Sequence, residues 1–381
     1  MEVDNRIINL INSGASISKE NLIYLKKFLI NNKKKDIYNI LNSLMDELEY
    51  FTYDYLNTNT INGISTTISI NDLYLNIYGG TNINYDIEYD IASVTKLFTL
   101  ILIFKYIDNG IINRYDKICD IDSNFKYLDY TILDLIKMSG LIVTDKRIDE
   151  ASNYYEALNI LYSVYPINYD KTFNNYTDIG FMVLSKLVEN INGKSFNDIM
   201  IDFYRKYGIR INQMNNIIGH GYNDCLPHDP KARIMNGMIG SAGIFINSFN
   251  MNKFAFELFN YDLISKDNLY ALSNKLFEYN HDNKGIAGIY IKHPLGICKT
   301  STPNEYSKYA FSHQGYTGSC AIFDPLLKIH NSILVDAIKD NNKKDINFYK
   351  YFNIYHQKLV MITLKAYLIN SKEKIKMINR L

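Results

Sequence analysis

Asp90-Ile91-Ala92-Ser93-Val94-Thr95-Lys96-Leu97-Phe98 places a serine three residues ahead of a lysine, just where a long apolar run begins. On a helix, positions i and i+3 share a face, which brings the Lys96 amine within hydrogen-bond reach of the Ser93 hydroxyl. A serine hydroxyl is a weak nucleophile at neutral pH until a neighbouring base takes its proton. If Ser93 also opens the helix, its backbone amide and the positive helix end favour a developing oxyanion there. The run from Leu97 to Ile103 reads as a buried helix, and it is far too short to span a membrane. Ser16/Lys19, Ser123/Lys126 and Ser371/Lys374 repeat the spacing, and a serine N-cap with a solvated lysine accounts for them. Ser93 differs because its lysine leads straight into a buried helix, where a charge needs a partner or a task.

The chain of 381 residues, 47% of them hydrophobic, is long enough for one large domain or two intimately packed ones. Forty-one basic against 40 acidic residues leave a net charge of +1, so no global field favours nucleic acid or an anionic membrane. The 33 tyrosines without a tryptophan read as compositional drift rather than as a stacking surface for bases. The N-terminus lacks the basic and apolar regions of a signal peptide, and no stretch approaches 18 apolar residues. Cys119, Cys225, Cys298 and Cys320 have no framework spacing and read as reduced thiols of a cytoplasmic protein.

Ser18 is a candidate N-cap for a helix through about Asn31, and after Lys33-Lys34-Lys35 the set Ile37, Ile40, Leu41, Leu44, Met45 and Leu48 has helical spacing. These helices are expected to form an N-terminal extension, residues 1–58, that packs on the main body, with binding of a partner as the alternative. Ser65 to Ile70 and Leu73 to Tyr78, joined by Asn71-Asp72, are expected to form a hairpin. Residues from about 92 to 280 read as mostly helical, with Thr131 capping one helix and Gly193 ending another. Strand patterns return at Gly288 to Lys292, Tyr309 to His313, Ser319 to Phe323 and Ser332 to Ile338. An amphipathic segment then closes the chain at 346–368. The expected fold is α/β (α+β): an antiparallel sheet from 59–90 and 285–345, flanked by helices, with an inserted helical subdomain at about 92–280. Residues 59–381 make up this main domain.

Two further segments raise Ser93 above chance. One is Asn174-Asn175-Tyr176-Thr177-Asp178-Ile179-Gly180, leading into a helix; the other is Phe311-Ser312-His313-Gln314-Gly315-Tyr316-Thr317-Gly318, at a strand end. Tyr-x-Asp also occurs at Tyr106, Tyr127 and Tyr222; what singles out Tyr176 is its placement before Ile179-Gly180 and a helix. Ser-x-x-Lys with a Ser-Asp-Asn-type and a Lys-Thr-Gly-type element is the signature of serine β-lactamases and penicillin-binding proteins. The three elements here resemble the variant of class C β-lactamases and related esterases and D-aminopeptidases, in which the second is Tyr-x-Asn and the third is often His-x-Gly. Thr131 to Leu141, His228-Asp229-Pro230-Lys231-Ala232-Arg233 and Ile322-Phe323-Asp324-Pro325 are similar to supporting stretches of that family. The resemblance covers about residues 60–340.

The resemblance implies a β-lactamase/transpeptidase-like fold, with Ser93 as the acylated nucleophile, Lys96 as base or proton relay and Tyr176 as second proton shuttle. It implies the backbone amides of Ser93 and Tyr316 as an oxyanion hole, with Asp178, His313, Gly315 and Tyr316 binding substrate. Three positions depart from the family pattern. Asp178 stands where the family has Asn, and an ionised carboxylate cannot donate to a substrate carbonyl; beside Lys96 it would also hold that amine protonated. Gln314 replaces a small residue, and Met138 a polar one. No cofactor is expected: His220, Cys225 and His228 lie close together, but their spacing fits no standard zinc site. Two functions stay open at this point. One is a serine hydrolase acting through an acyl-enzyme on a small-molecule or short-peptide ester, amide, D-amino peptide or β-lactam. The other is a catalytically weak relative that keeps the pocket for binding or sensing.

Overall fold

The computed structural model describes residues 5–81, 83–168, 175–213, 226–273, 290–291, 302–339, 343–370 and 378–379. In chain order the strands are β1 (Gly63–Ile70), β2 (Leu73–Gly80), β3 (Tyr89–Asp90), β4 (Leu141–Val143), β5 (Tyr165–Asn168), β6 (Phe245–Ile246), β7 (Tyr290–Ile291), β8 (Phe311–Gln314), β9 (Cys320–Asp324), β10 (Ile329–Asp336) and β11 (Ile378–Asn379).

Asn71 and Asp72 turn the chain tightly enough to pair Ile70 directly with Leu73, and Asn71 takes the left-handed conformation such a turn needs, at φ 52°. That hairpin supplies the second and third strands of a seven-stranded sheet ordered β11-β2-β1-β10-β9-β8-β7 among the described residues. All its neighbours are antiparallel except β11, which runs parallel to β2 at one edge. The N- and C-terminal parts of the chain thus complete one sheet, and the parallel edge strand is an addition that the sequence pattern does not show. Of the strand expected at Gly288 to Lys292, only β7 is described; the rest lies outside the described residues. β10 begins three residues earlier than its apolar pattern, where His330 and Asn331 are buried and hydrogen-bond the Ile322 and Thr67 carbonyl oxygens of the neighbouring strands.

Successive strand residues point to opposite faces, and here both faces are covered. Cys320 and Ile322 of β9 join one core and Ala321 and Phe323 the other. The first core lies under α1 (Asn5–Asn12), α2 (Lys19–Asn32), α3 (Ile37–Leu56) and the closing helix Phe348–Ile369. Ser18 caps α2 by accepting from the Asn21 amide, and Leu41, Met45 and Leu48 of α3 are fully buried. The Thr66 hydroxyl in the sheet, Tyr355 in the closing helix and Thr52 in α3 make a buried hydrogen-bonded row. The N-terminal helices therefore cover apolar sheet surface that would otherwise face water.

The second core belongs to the helical region between β3 and Leu272. Its centre is α4 (Thr95–Asp108), with every residue from Thr95 to Phe104 buried, as a helix apolar on all sides requires. Thr131 and Asp134 form a reciprocal capping box on Ile132–Ile136, and Gly193 ends the helix Ile179–Asn192 at φ 63°. Two short strand pairs, β3 with β6 and β4 with β5, interrupt the helices. No helix among the described residues is long and apolar enough to cross a membrane.

Candidate active site

The Lys96 side chain is 0% exposed, and its amine lies among four acceptors. It donates to Ser93 Oγ at 3.0 Å, Tyr176 Oη at 2.9 Å, Asp178 Oδ1 at 2.7 Å and, at 3.3 Å, the Ser241 carbonyl oxygen. Ser93 and Lys96 meet as their spacing anticipates, and Tyr176 and Asp178 join them where the resemblance implied. The α-helix, however, opens at Thr95, and Ser93 sits in the preceding 3-10 turn, Ala92–Val94. Ala92 causes this offset: at φ 43° it is in the left-handed region, which costs a β-carbon-bearing residue energy. The turn rotates Ser93 out of the strand line while keeping its hydroxyl against Lys96.

Several backbone contacts hold the strained turn. Asp90 Oδ1 accepts the Ala92 amide at 2.8 Å and Oδ2 accepts the His228 amide at 2.6 Å. The Ile91 amide bonds the Ile244 carbonyl oxygen at 3.1 Å, and the Thr317 hydroxyl donates to the Asp90 carbonyl oxygen at 2.6 Å. Asp90 thus ties the nucleophile turn to the loop before helix Pro230–Ile234 and to the end of β8. Gly240, at φ 76°, lets the 237–246 stretch approach helix Ile179–Asn192 so closely that a β-carbon there would lie 2.2 Å from the Phe181 carbonyl oxygen. This places Ser241 against Lys96.

Asp178 stands at the N-terminal end of helix Ile179–Asn192, where a carboxylate usually caps backbone amides. Here it makes no cap; Oδ1 faces Lys96, and Oδ2 faces Lys231 Nζ at 3.1 Å. Lys231 also meets Asp229 Oδ2 at 3.2 Å. Lys231 and Asp90 belong to the site, though no motif role pointed to either. Burial works to raise the Asp178 pKa, but the two lysines overcome it and hold the carboxyl at about 2. Burial works to lower the Lys96 pKa, but the oxygens of Tyr176 and Asp178 outweigh it, and the amine ends above its usual value.

β8 completes one wall. A β-carbon on Gly315 would lie 2.4 Å from the Ile91 carbonyl oxygen, so the third motif packs directly on the nucleophile turn. His313 is buried, and its Nδ1 hydrogen-bonds the Gln314 carbonyl oxygen at 3.0 Å, so that nitrogen carries the proton. The exposed Tyr316 ring lies 4.8 Å from that of His228, with Lys344 Nζ 4.5 Å from its face. Among the described residues no cluster of His, Cys, Asp and Glu could hold a metal; His220, Cys225 and Asn174 lie outside them.

Asp90 gives the site a pH signature. Burial is the main force raising its carboxyl to about 6, with Asp229 adding to it and the His228 and Ala92 amides opposing. A folded-state pKa above the unfolded one contributes stability that is complete below 3.8 and lost as pH rises through about 6. The loss amounts to about 3 kcal/mol. Asp90→Asn cannot titrate, so from pH 4 to pH 7 the wild type should lose about that much relative to the variant in denaturant unfolding. Parallel stability curves would show that Asp90 is not the group responsible.

The Beta-lactamase family model matches residues 74–337. No curated protein matches the chain by sequence. Among solved structures, EstCE1, a hydrolase with promiscuous acyltransferase activity, superposes with a TM-score of 0.65 at 12% identity, covering 82% of this chain and 98% of that one. A class C beta-lactamase mutant gives 0.64 at 13%, covering 84% and 98%. The octameric penicillin-binding protein homologue from Pyrococcus abyssi gives 0.59 at 16%, covering 76% and 73%. At these identities the likeness is one of fold.

Proposed function

The chain belongs to the beta-lactamase family, and on that premise we propose that it is a serine hydrolase that acts through an acyl-enzyme on Ser93. One observation carries this reading: a single buried amine, Lys96, holds Ser93 Oγ and Tyr176 Oη at once. Ser93 Oγ attacks the substrate carbonyl carbon, and its proton passes to the Lys96–Tyr176 pair. The amides of Ser93 and Tyr316 stabilise the tetrahedral oxyanion. The same pair protonates the leaving group, then activates the water that releases the acyl group and restores Ser93.

Gly315 keeps β8 close enough to aim the Tyr316 amide, and His313 lines the pocket and orients substrate. Asp178 fixes Lys96 and borders the substrate site. The substrate is a small ester, D-amino peptide or amide, or β-lactam. No catalytic group is assigned to residues 1–58, which we take as a helical cover on the 59–381 domain. We also place the protein in the cytoplasm.

The ion pair at 2.7 Å between Lys96 and Asp178 favours a second reading, a slow relative whose function is to hold ligand rather than to turn it over. An activated aryl ester separates the two. The hydrolase releases phenol in sustained turnover, with a burst equal to the enzyme present where deacylation is the slower step. The slow relative releases at most one equivalent and then stops.

A further inference from the structure

The partly buried carboxylate of Asp178 is shared: Oδ1 meets Lys96 at 2.7 Å and Oδ2 meets Lys231 at 3.1 Å. The side chains of Lys231 and Asp178 are only 20% and 28% exposed, so solvent screens this chain of charges weakly. Helix Pro230–Ile234 holds Lys231 in place through Asp229, which caps the Lys231 amide at 2.8 Å with one oxygen and meets Nζ at 3.2 Å with the other.

We propose that Lys231 is a positioning residue that offsets the charge of Asp178 and so lowers the pH at which the Lys96–Tyr176 pair gives up a proton. This rests on the acyl-enzyme reading above and deepens it. An unshared carboxylate against Lys96 would hold its proton, the wrong state for a group that must accept one from Ser93. A second cation on the far oxygen offsets that charge, so aspartate and lysine together stand in for a neutral amide. Among the described residues, the following groups face this network. Lys96 meets Ser93, Tyr176, Asp178 and the Ser241 carbonyl, which come from three stretches of chain. Lys231 meets Asp178 and Asp229 and feels Asp149, which Arg147 pairs in turn. Because the Lys96 and Tyr176 protons interact, the pair titrates as a unit, and Lys231 and Asp178 act on it with opposite sign.

The test is the pH dependence of Ser93 acylation by an activated aryl ester in the full-length protein. Lys231→Gln should move the rising limb up by about one pH unit, slowing acylation about tenfold at any pH below it, with the high-pH plateau kept. Lys231→Arg keeps the charge and should keep the limb. Asp178→Asn should move the limb down by about one unit, and Asp178→Asn with Lys231→Gln should return it to the wild-type position. A limb that stays in place while Lys231→Gln lowers the rate equally at every pH overturns the proposal and leaves Lys231 a packing residue.

A second readout is independent of catalysis. In protein carrying 13C at the lysine ε-carbons, the Lys96 resonance, identified by its loss in Lys96→Met, should titrate at higher pH in Lys231→Gln than in wild type. Equal midpoints overturn the proposal. If the ester labels no Ser93, the acyl-enzyme reading fails, and this titration still decides the role of Lys231.

Discussion

Lys96→Met should slow acylation of Ser93 by about 10²- to 10⁴-fold at pH 7, the range expected when a positioned proton acceptor is removed. Methionine fills the space of the buried stem but leaves Ser93 and Tyr176 with no shared amine. The fold should survive, because Asp178 keeps Lys231 at 3.1 Å and is not left as an unpaired buried charge. Stopped-flow acylation with the aryl ester, beside a thermal unfolding scan, checks both halves. A variant that folds and acylates within tenfold of wild type would remove Lys96 from the proposed mechanism.

Gly315→Val should cost at least about 10²-fold in the same rate, for a steric reason. The first added carbon would lie 2.4 Å from the Ile91 carbonyl oxygen, 3.1 Å from its carbon and 3.3 Å from the Ala92 β-carbon. These are backbone or near-backbone atoms of a turn already strained at Ala92, so β8 or Ser93 must move. A displacement of about 1 Å is enough to lose two orders of magnitude. Far-ultraviolet circular dichroism should stay native while acylation falls. A native variant with unchanged rate would mean that the third motif does not set the position of Ser93.

The contrast between local and distant signals explains what the sequence shows of this architecture. The hairpin was legible because Asn71-Asp72 sits between two runs of strand formers, and the Thr131 cap because the Asp134 amide it accepts is three residues away. The Ser93–Lys96 contact was legible for the same reason. The two-residue β3, β6 and β11 carry no periodicity, so nothing in their composition marks them. The offset of Ser93 from the helix start depends on the left-handed Ala92, an alanine with no sequence signal for that conformation. Asp90 acts through backbone amides two and 138 positions away, the second invisible to any spacing rule. Lys231 reaches Asp178 across 53 residues of chain. Charge arithmetic could have found it: an aspartate beside the Ser-x-x-Lys lysine, where relatives have a neutral amide, calls for a second cation nearby.

The central claim is that Ser93 becomes covalently acylated. Full-length protein treated with a fluorescent penicillin and, separately, with an activated acyl ester should gain the mass of one acyl group from at least one of them. Peptide mapping should place that group on Ser93. Ser93→Ala, with native circular dichroism, should gain no mass from either probe. An adduct mapped to a different residue, or one that persists in Ser93→Ala, would contradict the account.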